Sequence, residues 1–437
     1  MNKLSHSILI FCLVTVTVHA SGCGAATAVP SLTGTLAPAR APTETLTAMP
    51  SPTNMPEPIH PQGTLIYSDN KTIYSIDVQT QNVKIISDTD GVQRDLHIVN
   101  DKIYFLRSTK SYESGFSGNQ EVFRINLDGT DFTQLTFDAG KYDEKYFLAI
   151  SPDNRYIAYR QDGNPPTLAI LDLVNQTTWV IAKEVGHSYY DLSWSSDGKK
   201  LLFYDMDVMK AYEHGRLLLY SIDDQKIAEL LPDTNSIAIW SPDGRSIITT
   251  KDKDFNNGAY ILNIENGEFR QITSDDSTGE FYWSSDGKHI LFTMDFGDQE
   301  GLYRYSVENG QVERLVLFPK DRSPFDFIWS PNENAFLYLQ SEHEPSDNYL
   351  NLFNLNSKNP TDISHQDGAD VGANYWNWQY FPTWSPDGKF ITYVTQTDSG
   401  FFADKVILNV LDILTGGHLE FEIPRNDQIN SFYWVSQ

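Results

Sequence analysis

From Thr64 onward the chain is built of short apolar runs, each bounded by polar turn residues. The stretch Phe381 to Val394, FPTWSPDGKFITYV, shows the unit. Phe381, Thr383 and Trp384 are bulky and β-favouring, and Phe390, Ile391, Tyr393 and Val394 form a second such run. Between them Ser385-Pro386-Asp387-Gly388 supplies a preset φ, a carboxylate that can accept backbone N–H bonds, and a glycine tolerant of positive φ. The pattern predicts a β-hairpin. It returns as Trp194-Ser195-Ser196-Asp197-Gly198-Lys199, Trp240-Ser241-Pro242-Asp243-Gly244-Arg245 and Trp283-Ser284-Ser285-Asp286-Gly287-Lys288. Weaker copies are Trp329-Ser330-Pro331-Asn332, Ile150-Ser151-Pro152-Asp153-Asn154 and Ile98-Val99-Asn100-Asp101-Lys102. Aligned on the Trp position the copies fall at 98, 150, 194, 240, 283, 329 and 384, a spacing of 43 to 55 residues.

Each repeat reads as four strands, A to D. In the fourth these are Leu192 to Ser195, Lys200 to Tyr204, Arg216 to Asp223 and Lys226 to Leu231. In the fifth they are Ile237 to Ser241, Ser246 to Thr250, Ala259 to Ile264 and Phe269 to Thr273. The C–D turns Asp128-Gly129, Asn266-Gly267 and Asn309-Gly310 are strong hairpin signals. No long amphipathic helix competes. A period of this length with four short strands per unit predicts an all-β fold, a β-propeller. Before the first copy, Thr64 to Tyr67, Thr72 to Asp77 and Val83 to Ser87 read as B, C and D without an A. After the last, Phe432-Tyr433-Trp434-Val435 reads as an A alone. An open propeller would leave strand edges unpaired. The expectation is therefore eight four-stranded blades, closed by the C-terminal strand joining the N-terminal blade.

These Trp-Ser-Pro-Asp-Gly-Lys repeats resemble the WD40-like β-propeller repeat of the TolB family, and are similar to those in the propeller of prolyl-oligopeptidase and dipeptidyl-peptidase enzymes. The resemblance covers roughly residues 62–437 and implies the propeller fold. It implies little about activity, since propellers carry many unrelated functions.

Composition adds a location. The formal charge is −26, with a pI near 4.6, which argues against nucleic acid or an anionic membrane surface as partner. Lys3 precedes an apolar run from Ile8 to Val18, too short to span a bilayer, so residues 1–22 read as a signal peptide. Of the two cysteines, Cys12 lies in that run, so the mature chain keeps Cys23 alone and forms no internal disulfide. His19-Ala20-Ser21-Gly22-Cys23 resembles the bacterial lipoprotein lipobox, which implies lipidation at Cys23. Ordinary cleavage after Ala20, giving a secreted protein, is the alternative. Residues 23–61 are rich in Pro, Thr and Ala and read as an extended tether. The expected domains are thus the signal peptide 1–22, the lipidated Cys and linker 23–61, and the propeller 62–437. The expected location is outside the cytoplasm, lipid-anchored in the cell envelope.

The motif residues have bland expected roles: blade packing for Trp194, Trp240, Trp283, Trp329, Trp384 and Trp434, and turn-holding for Asp197, Asp243, Asp286 and Asp387. Loop lengths point further. A–B and C–D turns share one face and are short. B–C and D–A segments share the other, second face and include the long stretches Ser108 to Gln120, Asp205 to Gly215, Ser341 to Asn348, His365 to Gln379 and Gln396 to Asp404. Loops on a rigid scaffold carry binding. Tyr375, Trp376, Trp378 and Tyr380 crowd one of them, with Phe401 and Phe402 in the same blade, and form either an aromatic ligand platform or a self-buried insertion. Acidic residues recur in B–C loops, at Asp69, Asp162, Asp205, Asp207, Asp252, Asp254, Asp295, Asp298 and Asp347, so calcium is a candidate ion. His187, His214 and His343 lie in second-face loops of different blades. The chain has no Gly-x-Ser-x-Gly elbow, Walker loop, dinucleotide fingerprint or HExxH. The resulting expectation is a monomeric, non-catalytic scaffold without a cofactor, binding an envelope protein, peptide or glycan, with no nucleic acid and membrane contact through the lipid only. The alternatives are a metal-dependent polysaccharide lyase or hydrolase in the pore, and a structural subunit of an envelope assembly.

Overall fold

The computed structural model describes residues 61–435 apart from 70, 89–92, 109–119, 138–143, 209–214, 235–237, 251–257, 274–277, 295–300, 319–322, 333, 342–347, 358, 364–381, 397–405 and 424–430. The described residues form 32 strands in eight four-stranded antiparallel sheets, with no helix. Sheets two to eight each take four consecutive strands. Blade 4, for example, runs His187–Trp194, Lys200–Asp207, Gly215–Ser221 and Lys226–Thr234. Blade 1 is the composite: Ser431–Val435 supplies strand A beside Thr64–Ser68, Thr72–Asp77 and Val83–Asp88. Thr64 pairs with Val435 and Ser68 with Ser431. The eight-bladed, self-closing propeller expected from the repeats is the fold observed.

Strand alternation explains how the blades stack. In blade 1, Leu65 and Tyr67 pack with Val394, Leu408 and Val410 of blade 8, while Ile66 between them packs with Ile103 and Phe105 of blade 2. In blade 4, Leu201 and Phe203 face blade 3 and Leu202 faces blade 5. Successive side chains leave a strand on opposite faces, and here both faces are covered. That is why the B strands read as unbroken apolar runs. The buried apolar residues form eight clusters, each shared by two neighbouring blades around the ring. Each fully buried Leu or Phe contributes about 1.5–3 kcal/mol.

Strand A lies nearest its counterparts in the adjacent blades, as between Gln93–Val99, Lys145–Ile150, His187–Trp194 and Ile239–Trp240. Several A strands carry a register shift before the Trp position, at Arg94/His97, Tyr146/Ala149, Tyr190/Ser193 and Thr278/Phe281. Asp95 and Asp191 sit in these bulges at positive φ, a conformation tolerated by Asp.

Candidate functional site

The first face is built by the repeat motif. Ser195 Oγ donates to Asp197 Oδ1 (2.6 Å), which also accepts the Lys199 N–H (3.0 Å). Ser195 Oγ in turn accepts the Lys200 N–H (3.0 Å). Ser241 with Asp243, Ser284 with Asp286 and Ser385 with Asp387 repeat this arrangement. Burial pulls the Asp197, Asp243 and Asp387 carboxyls upward, but the hydrogen bonds outweigh it and hold all three below the usual range. For Asp286 the Lys288 backbone N–H, then the Lys288 ammonium and the Ser284 hydroxyl, bring the carboxyl down to about 2.

Four of the motif tryptophans latch their blade to the one before it. Trp194 Nε1 donates to Ala149 O (2.8 Å), Trp240 to Ser193 O (3.1 Å), Trp283 to Ile239 O (3.3 Å) and Trp384 to Ile328 O (3.2 Å). Each acceptor immediately precedes the Trp position of the preceding or a neighbouring repeat. Trp434 donates to Gln62 O (3.2 Å), and Trp329 Nε1 is buried with no hydrogen-bond partner among the described residues.

On the second face, the sequence candidates Tyr375, Trp376, Trp378, Tyr380, Phe401 and Phe402 lie outside the described residues. So do Cys23, His214, His343, Asp252, Asp254, Asp295, Asp298 and Asp347. The acidic loop residues that are described are engaged by the protein itself. Asp69 is buried and accepts the Thr72 N–H (2.8 Å) and the Tyr74 hydroxyl (3.0 Å). Asp162 pairs with Arg160, and Asp205 with His187 Nδ1 (2.7 Å) and Arg216. His187 also faces Glu184 at 3.5 Å. The described residues contain no group of three metal-ligating side chains.

What the second face does present is a stack across three blades. Arg94 and Tyr146 come from the A strands of blades 2 and 3, Arg160 from strand B of blade 3, and Tyr190 from strand A of blade 4. The Arg94 and Arg160 guanidinium carbons each lie 4.8 Å from the Tyr146 ring centre, and Arg160 lies 4.9 Å from that of Tyr190. This is cation–π distance. Carboxylates hold the stack: Glu144 is 3.3 Å from Arg94, and Asp162 is 2.9 Å from Arg160. The Tyr146 hydroxyl donates to Glu144, and burial followed by that carboxylate pushes the phenol up to about 12. Next to Tyr146 in sequence, Lys145 forms a buried ion pair with Glu121 (3.0 Å), at 0% and 5% side-chain exposure; Gln161 accepts from Lys145 and Thr136 donates to Glu121. Nearby Asp191 is open to water yet flanked by protein, and burial raises its carboxyl. The arrangement is a polar and aromatic cluster in which each arginine is matched by a carboxylate, with Arg160 buried and Arg94 and the two tyrosine rings partly exposed. Sequence reasoning missed it. Arg94, Tyr146 and Tyr190 each stand four residues before the Trp position of their repeat, so a column-by-column alignment of the repeats carries the signal.

A family model for the TolB beta propeller domain matches residues 191–410. Among solved structures, an oligogalacturonate lyase from Vibrio parahaemolyticus is 17% identical, covering 81% of this chain and 99% of that one at a TM-score of 0.53. An oligogalacturonate lyase in complex with manganese is 15% identical, with 76% and 94% covered and a TM-score of 0.52. Dipeptidyl peptidase 4 of Porphyromonas gingivalis is 11% identical, with 85% and 59% covered and a TM-score of 0.60. No curated protein matches the sequence. At these identities the structural likeness is one of fold.

Proposed function

Because the chain belongs to the TolB beta propeller domain family, we propose that it is an exported binding scaffold which engages an envelope protein, peptide or glycan through its second face, without catalysis. The observation that carries this reading is the Arg94–Tyr146–Arg160–Tyr190 stack. Four side chains with strong orientational preferences are held by ion pairs and ring contacts at fixed spacing across three blades. Preorganised aromatic and guanidinium groups bind partners with little ordering cost, which is the property of an interaction surface. The carboxylates beside them are committed to the arginines.

The anchor follows the same logic. Lipidation of Cys23 and the linker to residue 61 would hold the ring away from the bilayer as a monomer, leaving the second face accessible. Cys23→Ser is expected to move the protein from the membrane fraction to the soluble fraction. Unchanged partition would overturn the anchor.

The scaffold is tested with the full-length protein on peptide and glycan arrays. Arg94→Ala and Arg160→Ala are each expected to weaken the selected ligand about tenfold, a loss of roughly 1.4 kcal/mol. Undiminished binding by both variants would overturn the assignment of the face. Turnover of an envelope polymer that these substitutions abolish would overturn the non-catalytic reading.

A further inference from the structure

The first face holds a gap that the other blade interfaces explain. A cleft of about 380 Å³ opens between blades 5 and 6, with Trp283 as a wall, Ile261 beneath, and Asp243, Asp286 and Arg270 at its rim. The residue six positions after the Trp position, which opens strand B, sets what faces the Trp of the next blade at several of these interfaces. At the interface of blades 3 and 4 that residue is Tyr156, whose ring stacks on Trp194 at 5.9 Å and 20°. At the interface of blades 8 and 1 it is Phe390, stacked on Trp434 at 6.3 Å and 12°. Between blades 5 and 6 it is Ser246, which lines the cleft opposite Trp283. Ala335 is also small, but there Trp384 is only 6% exposed, packed among Ile328, Leu411 and Ile413.

We infer that the cleft between blades 5 and 6 is a socket for an aromatic side chain of a partner polypeptide, stacking on Trp283 where Tyr156 and Phe390 stack within the chain. Offset ring stacking is favourable beyond the area it buries. The frame is rigid: Arg270 Nη1 donates to Val307 O (2.7 Å), tying blade 5 to blade 6 at the outer end, and Trp283 is fixed through Ile239 O. The rim sets the rest of the chemistry. Asp243 and Asp286 are held ionised by their turns, Asp286 with Lys288 beside it (2.9 Å), and Arg270 adds a guanidinium, so the rim offers both acceptors and donors to the backbone of an inserted residue. The socket opens on the face opposite the Arg94–Tyr190 stack and stands independently of the function proposed for that stack.

The test uses full-length protein carrying fluorotryptophan, with the Trp283 resonance assigned by Trp283→Phe. The probe is N-acetyl-L-tyrosinamide, with N-acetyl-L-alaninamide and maltotriose as comparisons. The tyrosinamide is expected to shift the Trp283 resonance and the alaninamide to leave it in place. Ser246→Tyr places a ring in the socket from within. It is expected to weaken tyrosinamide binding at least about tenfold and to raise the melting temperature. Ser246 contributes only backbone atoms to its turn, as donor to Ser241 Oγ and as acceptor from it. Absence of a Trp283 shift with tyrosinamide, or equal binding by a folded Ser246→Tyr, would overturn the socket. A shift produced by maltotriose and not by tyrosinamide would also overturn it, by making the occupant a sugar ring. The probe comparison at Trp283 decides even if Ser246→Tyr does not fold.

Discussion

The motif tryptophans share a position but not a bonding state, and this separates packing from hydrogen bonding. Trp240 donates to Ser193 O, whereas Trp329 Nε1 is buried without a hydrogen bond among the described residues. Phenylalanine in place of Trp240 removes a donor and strands an acceptor; in place of Trp329 it removes an unsatisfied polar atom. Trp240→Phe is expected to cost about 1 kcal/mol more than Trp329→Phe in urea denaturation. The turn aspartates give a pH signature. The Asp286 carboxyl is lowered to about 2 in the folded chain, below its unfolded value. Its contribution is therefore fully present above the unfolded value and lost as pH falls through the folded one. Stability should decline from about pH 4 downward, and Asp286→Asn should lower stability at neutral pH and flatten that decline. These residues were legible in the sequence because each recurs with the same neighbours. The Arg94–Tyr190 stack was not, because its members are separated by the length of a repeat and meet only when the A strands are set side by side. Asp95 was hidden for a related reason: its carboxylate accepts the Leu148 N–H of the next blade (2.9 Å) from inside a bulge that no local pattern announces.

Turns and strands are where local pattern and neighbouring blade can be told apart. Gly244 has φ +68°, and a Cβ there would meet Ser196 Oγ at 2.8 Å in the adjacent turn; Gly267 has φ +73° and nothing within 4 Å. Gly267→Ala should cost about 1 kcal/mol for the left-handed backbone alone, and Gly244→Ala more, because the Ser196 hydroxyl of the neighbouring turn must swing away. Equal losses in thermal denaturation would mean that the turns do not touch. The Lys145–Glu121 pair gives a sharper contrast. Glu121→Ala leaves a buried ammonium and is expected to cost about 3–5 kcal/mol, while Lys145→Met with Glu121→Leu should recover most of that loss. Strand positions matched expectation closely: Thr72 to Asp77 and Ser246 to Thr250 are strands over those same residues. Strand ends were less legible. Strand A of blade 4 begins at His187, before the expected Leu192, because the bulge between Tyr190 and Ser193 breaks the alternation that marks a strand.

Among the described residues each of the eight apolar clusters lies between two blades, so each blade draws its apolar burial from its neighbours in the ring. Removing residues 430–437 takes strand A from blade 1 and exposes the edge of Thr64–Ser68. The truncated protein should melt at lower temperature and self-associate; an unchanged melting temperature in a monomer would contradict the role of the closing strand. The count of eight was legible because an orphan A and an orphan B-C-D set need one another. The aromatic loop singled out in the sequence lies outside the described residues. Closure also has a topological corollary. Val435 lies beside Thr64 as Ser241 lies beside Ser246, and in blade 5 four residues, Pro242 to Arg245, join the two. Blade 1 is therefore an ordinary blade whose A–B turn has been cut. A circular permutant that joins Val435 to Thr64 through Pro-Asp-Gly-Lys and opens at Asn266-Gly267 would keep every strand pairing described above. The order in which the chain visits the blades is, in that sense, separable from the ring it builds.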